Sequence, residues 1–242
     1  MQIPWMGLAL GLVAAAANIV GGWAVVRRPW DPLYLRYFIA LGAGFMLAAS
    51  LLEMLPESYA LLGDHAALWI LIGYLLIHFF EHTLSGHFHF GEEVHAEEVT
   101  GAGRSHAVVL GLMIHAFVDG ISIATGFLIS DWLGWVVFLA VFLHKMPEGF
   151  TVSSVMMASG NTAAASLAAS ALLGAATLLG VLVMAPLRGH VAYTLPLSAG
   201  VTLYVAASDL IPVVNQEPGI RMALVVFIGV LFLLALRWAF AI

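Results

Sequence analysis

Residues 106–158 decide the class of fold, because they read HAVVLGLMIHAFVDGISIATGFLISDWLGWVVFLAVFLHKMPEGFTVSSVMMA. Two long apolar stretches, 106–129 and 132–158, flank a short polar break at Asp131. A helix needs about 20 mainly apolar residues to cross the hydrocarbon core of a bilayer. Each stretch is long enough, so this part of the chain predicts two consecutive transmembrane helices.

The same pattern continues along the rest of the chain. Hydrophobic residues make up 62% of the 242 residues and charged residues only 9%, whereas soluble globular chains carry about 25% charged residues. We therefore expect an all-α polytopic membrane protein with a single transmembrane domain over residues 1–242. The apolar stretches predict eight spans with tight connectors, one of them at Pro56-Glu57-Ser58; the spans are 3–26, 33–55, 66–84, 106–129, 132–158, 162–187, 192–213 and 219–240.

The composition excludes several classes of function. So few charges cannot form a water-facing surface, which excludes a soluble enzyme. The formal net charge of −6 offers no basic patch to nucleic acid. The sequence has no cysteine, which excludes disulfides, thiolate metal sites and cysteine nucleophiles. The lipid bilayer is therefore the expected partner of most of the surface.

One connection, residues 82–106, is long and polar, and it is rich in histidine and glutamate. We expect it to bind metal weakly and to have a regulatory role, with a solvated acidic linker as the alternative. Its candidate metal ligands are His82, His87, His89 and His95.

Arginine placement predicts the orientation of the bundle. Basic residues concentrate on the cytoplasmic side of membrane proteins. If the N-terminus lies outside, five arginines lie at or beside cytoplasmic connectors and two lie outside. The five are Arg27, Arg28, Arg36, Arg104 and Arg221, and the two are Arg188 and Arg237. We therefore expect a protein of the cell (inner) membrane with both termini outside and the 82–106 loop in the cytoplasm.

Two histidine–carboxylate pairs lie in the central spans, as His115-Ala-Phe-Val-Asp119-Gly120 and His144-Lys-Met-Pro-Glu148-Gly149. Side chains four residues apart share a helix face, so each helix presents an imidazole beside a carboxylate. Facing each other, the helices would supply two nitrogens and two carboxylates, which suit Zn²⁺ and also accept Fe²⁺, Mn²⁺ or Cd²⁺. The alternative is structural pairing, but ionisable residues are rarely kept idle within a membrane.

Further polar residues predict a path for the ion. Ser122 and Thr151 each follow a carboxylate of the two pairs by three residues and extend a polar stripe along spans 4 and 5. Ser50, Glu53 and Glu57 form a polar face of span 2, and Asp209 lies late in span 7. We interpret Glu53 and Glu57 as an entrance relay and Asp209 as an exit relay; ion pairs or helix caps are equally open alternatives.

The motifs of spans 4 and 5 resemble those of the ZIP family of divalent-metal transporters, whose fourth and fifth helices carry a His-x-x-x-acid-Gly and a His-x-x-Pro-Glu-type motif. Other segments agree with that family, so the resemblance covers essentially the whole chain: Leu41-Gly-Ala-Gly-Phe45, Leu55-Pro56-Glu57, Gly73-Tyr-Leu-Leu, Glu81-His82, Ala199-Gly200, Leu203-Tyr204-Val205-Ala206 and Asp209-Leu210-Ile211-Pro212.

The resemblance implies a transporter of Zn²⁺ into the cytoplasm. It implies an intramembrane metal site built from His115, Asp119, His144 and Glu148. It also implies a 3+2+3 inverted-repeat bundle, with spans 1–3 repeated as spans 6–8 around the central pair. In this family spans 1, 4, 5 and 6 are thought to slide against spans 2, 3, 7 and 8, an elevator-type alternating access. A homodimer is a further expectation from the family.

The chain departs from members of the family that hold two metal ions. Where those members have a polar residue in span 4 and a metal-binding residue in span 5, this chain has Ala116 and Lys145. Span 6 contains no acidic residue and no histidine. We therefore expect one metal ion, with the Lys145 ammonium standing in for the second cation. The alternative is that Lys145 snorkels to the membrane interface.

Two other functions are considered. An intramembrane metallohydrolase needs an open coordination position and a general base, as in His-Glu-x-x-His. That string does not occur in the sequence, so we expect no enzymatic activity. A membrane metal sensor or binding protein that does not translocate its ion is the alternative to transport, and it predicts saturable binding without flux.

Overall fold

The computed structural model describes residues 5–27, 32–85 and 102–240. The described backbone is helical apart from short turns, as lipid requires, because a helix satisfies its backbone polar groups within one segment. Ten α-helices lie in the described residues: α1 (Trp5–Arg27), α2 (Pro32–Ala49), α3 (Leu55–Leu62), α4 (His65–Phe80), α5 (Ala102–Ile129), α6 (Asp131–Ala158), α7 (Ala163–Leu187), α8 (Val191–Tyr204), α9 (Ile211–Asn215) and α10 (Ile220–Ala239).

These helices form eight spans. Seven continuous helical stretches in the described ranges are long and apolar enough to cross a membrane. One of them, 163–215, has 53 residues, which at the helical rise corresponds to about 80 Å, more than twice the bilayer core. It divides at the 3₁₀ turn Arg188–His190 into α7 and a further span that begins with α8. The predicted all-α membrane fold is confirmed.

Spans 2 and 7 each contain a π-helical turn in front of a proline. Ser50–Met54 joins α2 to α3, in which Pro56 is the second residue. Val205–Leu210 joins α8 to α9, in which Pro212 is the second residue. Proline lacks a backbone donor and its ring clashes with the preceding turn of an α-helix, and we attribute the local widening to this clash.

The predicted connector at Pro56-Glu57-Ser58 is wrong. The helix continues through these residues to Leu62, and the chain turns at Gly63, whose φ of 58° favours glycine. Proline often ends a helix, whereas here the π turn before it lets span 2 continue. The polar connection after span 3 is also shorter than predicted, because the helix persists through the π turn Glu81–Ser85 and α5 already begins at Ala102.

The segments around the two π turns repeat one another. Residues 41–56 read LGAGFMLAASLLEMLP, and residues 197–212 read LSAGVTLYVAASDLIP. Each crossing of the membrane reverses the direction of the chain, so spans 2 and 7 run in opposite directions. The two segments therefore form an inverted repeat, in agreement with the architecture that the family resemblance implies.

Helix contacts repeat together with the sequence. A Cβ atom on Gly44 of α2 would lie 2.0 Å from the carbonyl oxygen of Val226 in α10. A Cβ atom on Gly200 of α8 would lie 1.9 Å from the carbonyl oxygen of Ile70 in α4. Only glycine lets the two backbones touch there, as in other close helix pairs in membranes. The contact between spans 2 and 8 is thus equivalent to the contact between spans 7 and 3.

The spans pack in two groups. The first group is α1, α5, α6 and α7, which pack on one another; in the second, α2 packs on α10 and α4 on α8. The groups meet where α6 contacts α2 and where α5 contacts α8. The central helices are well enclosed, with 72% of the apolar stretch of α6 and 67% of that of α5 buried, against 17% for α10. The two helices that carry the predicted metal ligands therefore lie inside the bundle.

Candidate metal centre

Helices α5 and α6 place both histidine–carboxylate pairs in the interior. The residues His115, Asp119, His144 and Glu148 are at most 3% exposed. Glycine follows each carboxylate, and it lets a neighbouring helix come close. A Cβ atom on Gly120 would lie 1.9 Å from a backbone oxygen of α7, so that helix packs directly over the first pair.

Three ligand atoms form a small triangle. Nε2 of His115 lies 3.2 Å from Oδ2 of Asp119 and 3.4 Å from Nε2 of His144. Nε2 of His144 lies 3.2 Å from the same Asp119 oxygen. In a tetrahedral zinc site with bonds of about 2.0–2.1 Å, neighbouring ligand atoms are about 3.3 Å apart. The triangle has the dimensions of one face of such a site.

His144 is oriented by its own helix. Its Nδ1 donates to the carbonyl oxygen of Ala140 at 2.9 Å. A carbonyl oxygen only accepts, so the neutral ring carries its proton on Nδ1 and directs the Nε2 lone pair into the triangle. A histidine that binds a metal usually donates its other nitrogen to a carbonyl or carboxylate in this way. His144 is therefore preorganised as a ligand.

The ammonium group of Lys145 lies between the two carboxylates. Its Nζ is 2.6 Å from Oδ2 of Asp119 and donates a short hydrogen bond to Oε2 of Glu148. The side chain is fully buried, so it does not snorkel to the interface, which was the alternative for this residue. When both carboxylates are ionised, the single ammonium leaves the cluster with a net negative charge, which attracts a cation.

Glu148 stands apart from the triangle. Within the described residues, the histidine, aspartate and glutamate ligand atoms that lie within 4.8 Å of one another in a group of three or more belong to His115, Asp119 and His144. Glu148 is joined to Asp119 through Lys145. The structure thus brings three of the four predicted ligands together directly and the fourth through the ammonium.

Asn18 contacts Glu148, a partner that the sequence does not identify. This α1 residue is fully buried. With its amide oriented so that the nitrogen faces acceptors, it donates to Oε2 of Glu148 at 3.2 Å and to the carbonyl oxygen of Lys145 at 2.5 Å. In the sequence, Asn18 stands out as a polar residue inside the apolar stretch of span 1. The sequence does not show which helix faces that residue.

The serine and threonine residues of the predicted path are buried within the bundle. Ser122 donates to the carbonyl oxygen of Val118 in its own helix at 2.8 Å. Ser50 donates across to the carbonyl oxygen of Ala199 in α8 at 3.3 Å. Thr151 is 5% exposed. The hydroxyls of Ser122 and Ser50 therefore have backbone partners in this structure.

The acidic residues of the predicted relays have separate surroundings. Glu53 accepts a hydrogen bond from Nε1 of Trp132 at 2.9 Å and pairs with Nε of Arg237 at 3.2 Å. This is the ion pair that the sequence left open for Glu53. Glu57 is half-buried in α3. Asp209 is buried and hydrogen-bonds Glu81 of span 3.

The predicted loop ligands fall into two groups. His82 belongs to the helical end of span 3, where its Nδ1 hydrogen-bonds the carbonyl oxygen of His78 at 2.9 Å. The other three, His87, His89 and His95, lie outside the described residues.

Known proteins share this sequence pattern. The sequence model of the ZIP zinc transporter family matches residues 99–237, more than half of the chain. An uncharacterized protein of Methanocaldococcus jannaschii is 26% identical over 123 residues, which cover 50% of each chain. Zinc transporter ZIP9 of Xenopus tropicalis is 31% identical over 104 residues, covering 40% of this chain and 34% of the relative. Zinc transporter ZIP13 of Pongo abelii is 22% identical over 213 residues, covering 80% of this chain and 62% of the relative.

The chain spans less than two thirds of the length of each of these relatives. The region matched by the family model nevertheless contains α5 to α9 and almost all of α10, and with them both histidine–carboxylate motifs and the triangle of ligand atoms. The chain belongs to the ZIP zinc transporter family.

Proposed function

We propose that the protein carries divalent metal cations across the membrane, with Zn²⁺ as the cargo moved into the cytoplasm. The observation that carries the proposal is the buried triangle of His115, Asp119 and His144, whose edges of 3.2–3.4 Å suit a tetrahedral cation. The same donor atoms also accept Fe²⁺, Mn²⁺ and Cd²⁺. Family membership supports transport over a sensor that only binds the ion.

The bound state would contain one metal ion. Glu148 would supply the fourth ligand, beside His115, Asp119 and His144. The Lys145 ammonium already bridges Asp119 and Glu148, where a second cation would otherwise join the two carboxylates. The metal and the ammonium would share Asp119, so each limits the affinity of the other. Such a limit favours release of the ion after translocation.

Transport would proceed by movement of α1, α5, α6 and α7 as one block against the remaining spans. The separate packing of the two groups supports this elevator-type movement. Side-chain hydrogen bonds that cross between the groups in the described part of the chain would break as the block slides. Among them are Trp132 to Glu53 at 2.9 Å and Thr125 to Thr194 at 3.1 Å. The homodimer stays a prediction.

The direction of the helices supports the predicted orientation. Arg27 ends α1, while Arg36 and Arg221 lie near the starts of α2 and α10, and these three helix ends share one face. Arg188 and Arg237 lie at the opposite face, with both ends of the described chain. The positive-inside rule assigns the first face to the cytoplasm, in the cell (inner) membrane.

The proposal is tested by Zn²⁺ entry into proteoliposomes that contain a zinc-sensitive dye. We expect saturable entry with the intact protein and none with Asp119→Ala, because the shared oxygen of the triangle is lost. Asp64→Ala is the matched control, since Asp64 is exposed in the turn before α4, and it should transport normally. Saturable binding without entry under any gradient would contradict transport and support a sensor.

A further inference from the structure

The two carboxylate oxygens of Glu148 differ in the number of hydrogen bonds that they accept, and one of these hydrogen bonds comes from Asn18. We propose that Asn18 is a positioning residue that sets metal preference: it holds one oxygen of Glu148, so that the carboxylate offers the cargo a single oxygen. This inference rests on the proposed function, in which Glu148 is the fourth ligand of the transported ion.

Oε2 of Glu148 has two hydrogen-bond donors, whereas Oε1 has none. The donors to Oε2 are Nζ of Lys145 and the amide nitrogen of Asn18. Oε1 is buried and has no hydrogen-bond partner among the described residues. Hydrogen bonds to an ionised carboxylate are strong, and a metal would have to displace them to reach Oε2. Oε1 is therefore the oxygen that remains for a cation.

The Asn18 amide is held firmly in place. Its second N–H donates to the carbonyl oxygen of Lys145, so both hydrogens of the nitrogen are used on α6. The backbones of α1 and α6 touch on both sides of this contact. A Cβ atom on Gly149 would lie 1.9 Å from the carbonyl oxygen of Asn18, and one on Gly21 would lie 2.1 Å from that of Met146. A fixed amide restricts rotation of the Glu148 carboxylate.

A single-oxygen carboxylate favours cations of low coordination number. Together with one oxygen of Asp119 and two imidazoles, it makes the four-ligand set that Zn²⁺ prefers. Mn²⁺ prefers six ligands, mostly oxygen. If Glu148 bound through both oxygens, it would supply a fifth ligand atom, and the site would then be less unfavourable for Mn²⁺. Asn18 thereby raises the preference for Zn²⁺ over Mn²⁺.

The test compares affinities for Zn²⁺ and Mn²⁺ in the purified full-length protein, by competition with a fluorescent chelator. We expect Asn18→Ala to lower the Zn²⁺/Mn²⁺ affinity ratio about tenfold, the effect of losing one hydrogen bond to a charged group. The matched control is Ser153→Ala. Ser153 is fully buried and bonds to Ser166 and Ser170 of α7 without contacting the metal ligands, so its loss should leave the ratio unchanged.

Asp119→Ala separates this inference from the proposed function. If that variant binds Zn²⁺ as the intact protein does, the metal centre itself is misassigned. If Asp119→Ala loses the binding while folded Asn18→Ala keeps the original Zn²⁺/Mn²⁺ ratio, the metal centre stands and the role of Asn18 is overturned.

A spectroscopic measurement tests the same point without an Asn18 variant, in case the substitution prevents folding. Infrared difference spectra of the intact protein with and without Zn²⁺ report how each carboxylate binds, and Glu148→Gln identifies the band of Glu148. A carboxylate that binds through one oxygen has a wider separation between its two stretching bands than a chelating carboxylate. We expect the wide separation for Glu148, and the narrow one would overturn the proposal.

Discussion

At the scale of single residues, the candidate metal centre contains a cation of its own, the ammonium group of Lys145, beside the proposed ligands. A buried lysine is stable in an apolar interior only because its charge is paired, and a lysine without any carboxylate partner would leave an uncompensated charge there. Lys145 contacts both Asp119 and Glu148, so it neutralises part of their charge in the absence of cargo. In the proposed centre, the remaining negative charge and the histidine lone pairs would hold one metal ion.

Substitution of His144 should remove transport. His144→Ala deletes one corner of the ligand triangle, and we expect Zn²⁺ entry into proteoliposomes to fall to background. His190→Ala is the matched control, because His190 is exposed in the turn after α7. Normal entry with His144→Ala would remove this residue from the centre.

Substitution of Lys145 should change the number of ions bound. Lys145→Glu replaces the ammonium by a carboxylate beside Asp119 and Glu148, and three carboxylates in one buried cluster require a further cation. We expect elemental analysis after dialysis against Zn²⁺ to find one more equivalent of zinc per chain than in the intact protein. Lys145→Leu, which removes the charge without adding a ligand, should bind no additional ion. An unchanged zinc content in Lys145→Glu would contradict the role of the ammonium as a substitute cation.

At the scale of helices, the inverted repeat predicts equal energetic importance for equivalent contacts. We expect Gly44→Ala and Gly200→Ala each to lower the free energy of unfolding by about 1–3 kcal/mol, because the added methyl group would overlap a backbone oxygen and force the helices apart. Thermal unfolding in detergent measures the loss. Gly189→Ala is the control, since among the described residues beyond its two chain neighbours no heavy atom lies within 4 Å of the place its methyl group would take. A loss at only one of the two positions would show that the packing is not equivalent.

At the scale of the whole molecule, the orientation has a simple chemical test because the sequence lacks cysteine. Gly189→Cys places a thiol in the exposed turn between α7 and α8, and Ala158→Cys places one at the opposite face, at the end of α6. We expect a membrane-impermeant maleimide to label the first in intact cells and the second only after the membrane is opened. The reverse pattern would place both ends of the described chain on the cytoplasmic side and contradict the proposed orientation.

The amino-acid sequence was sufficient for the class of fold and for the two histidine–carboxylate pairs from which we propose a metal centre. Apolar length and scarcity of charge predict transmembrane helices because the bilayer is a uniform solvent that acts on every residue alone. The spacing of His115 and Asp119, and of His144 and Glu148, predicts the two pairs because the helical repeat places such residues on one face. These are local properties, and they depend on no partner elsewhere in the chain.

The contacts between helices depended on the tertiary structure. Spacing along α5 and α6 does not tell which oxygen meets which nitrogen, so it could not place Glu148 outside the triangle or Lys145 between the carboxylates. It could not pair Asn18 with Glu148, because the two residues lie far apart in the chain and meet through the backbone contact of α1 with α6. The rotation of one helix against another is set by packing over the whole bundle, and no local pattern contains it.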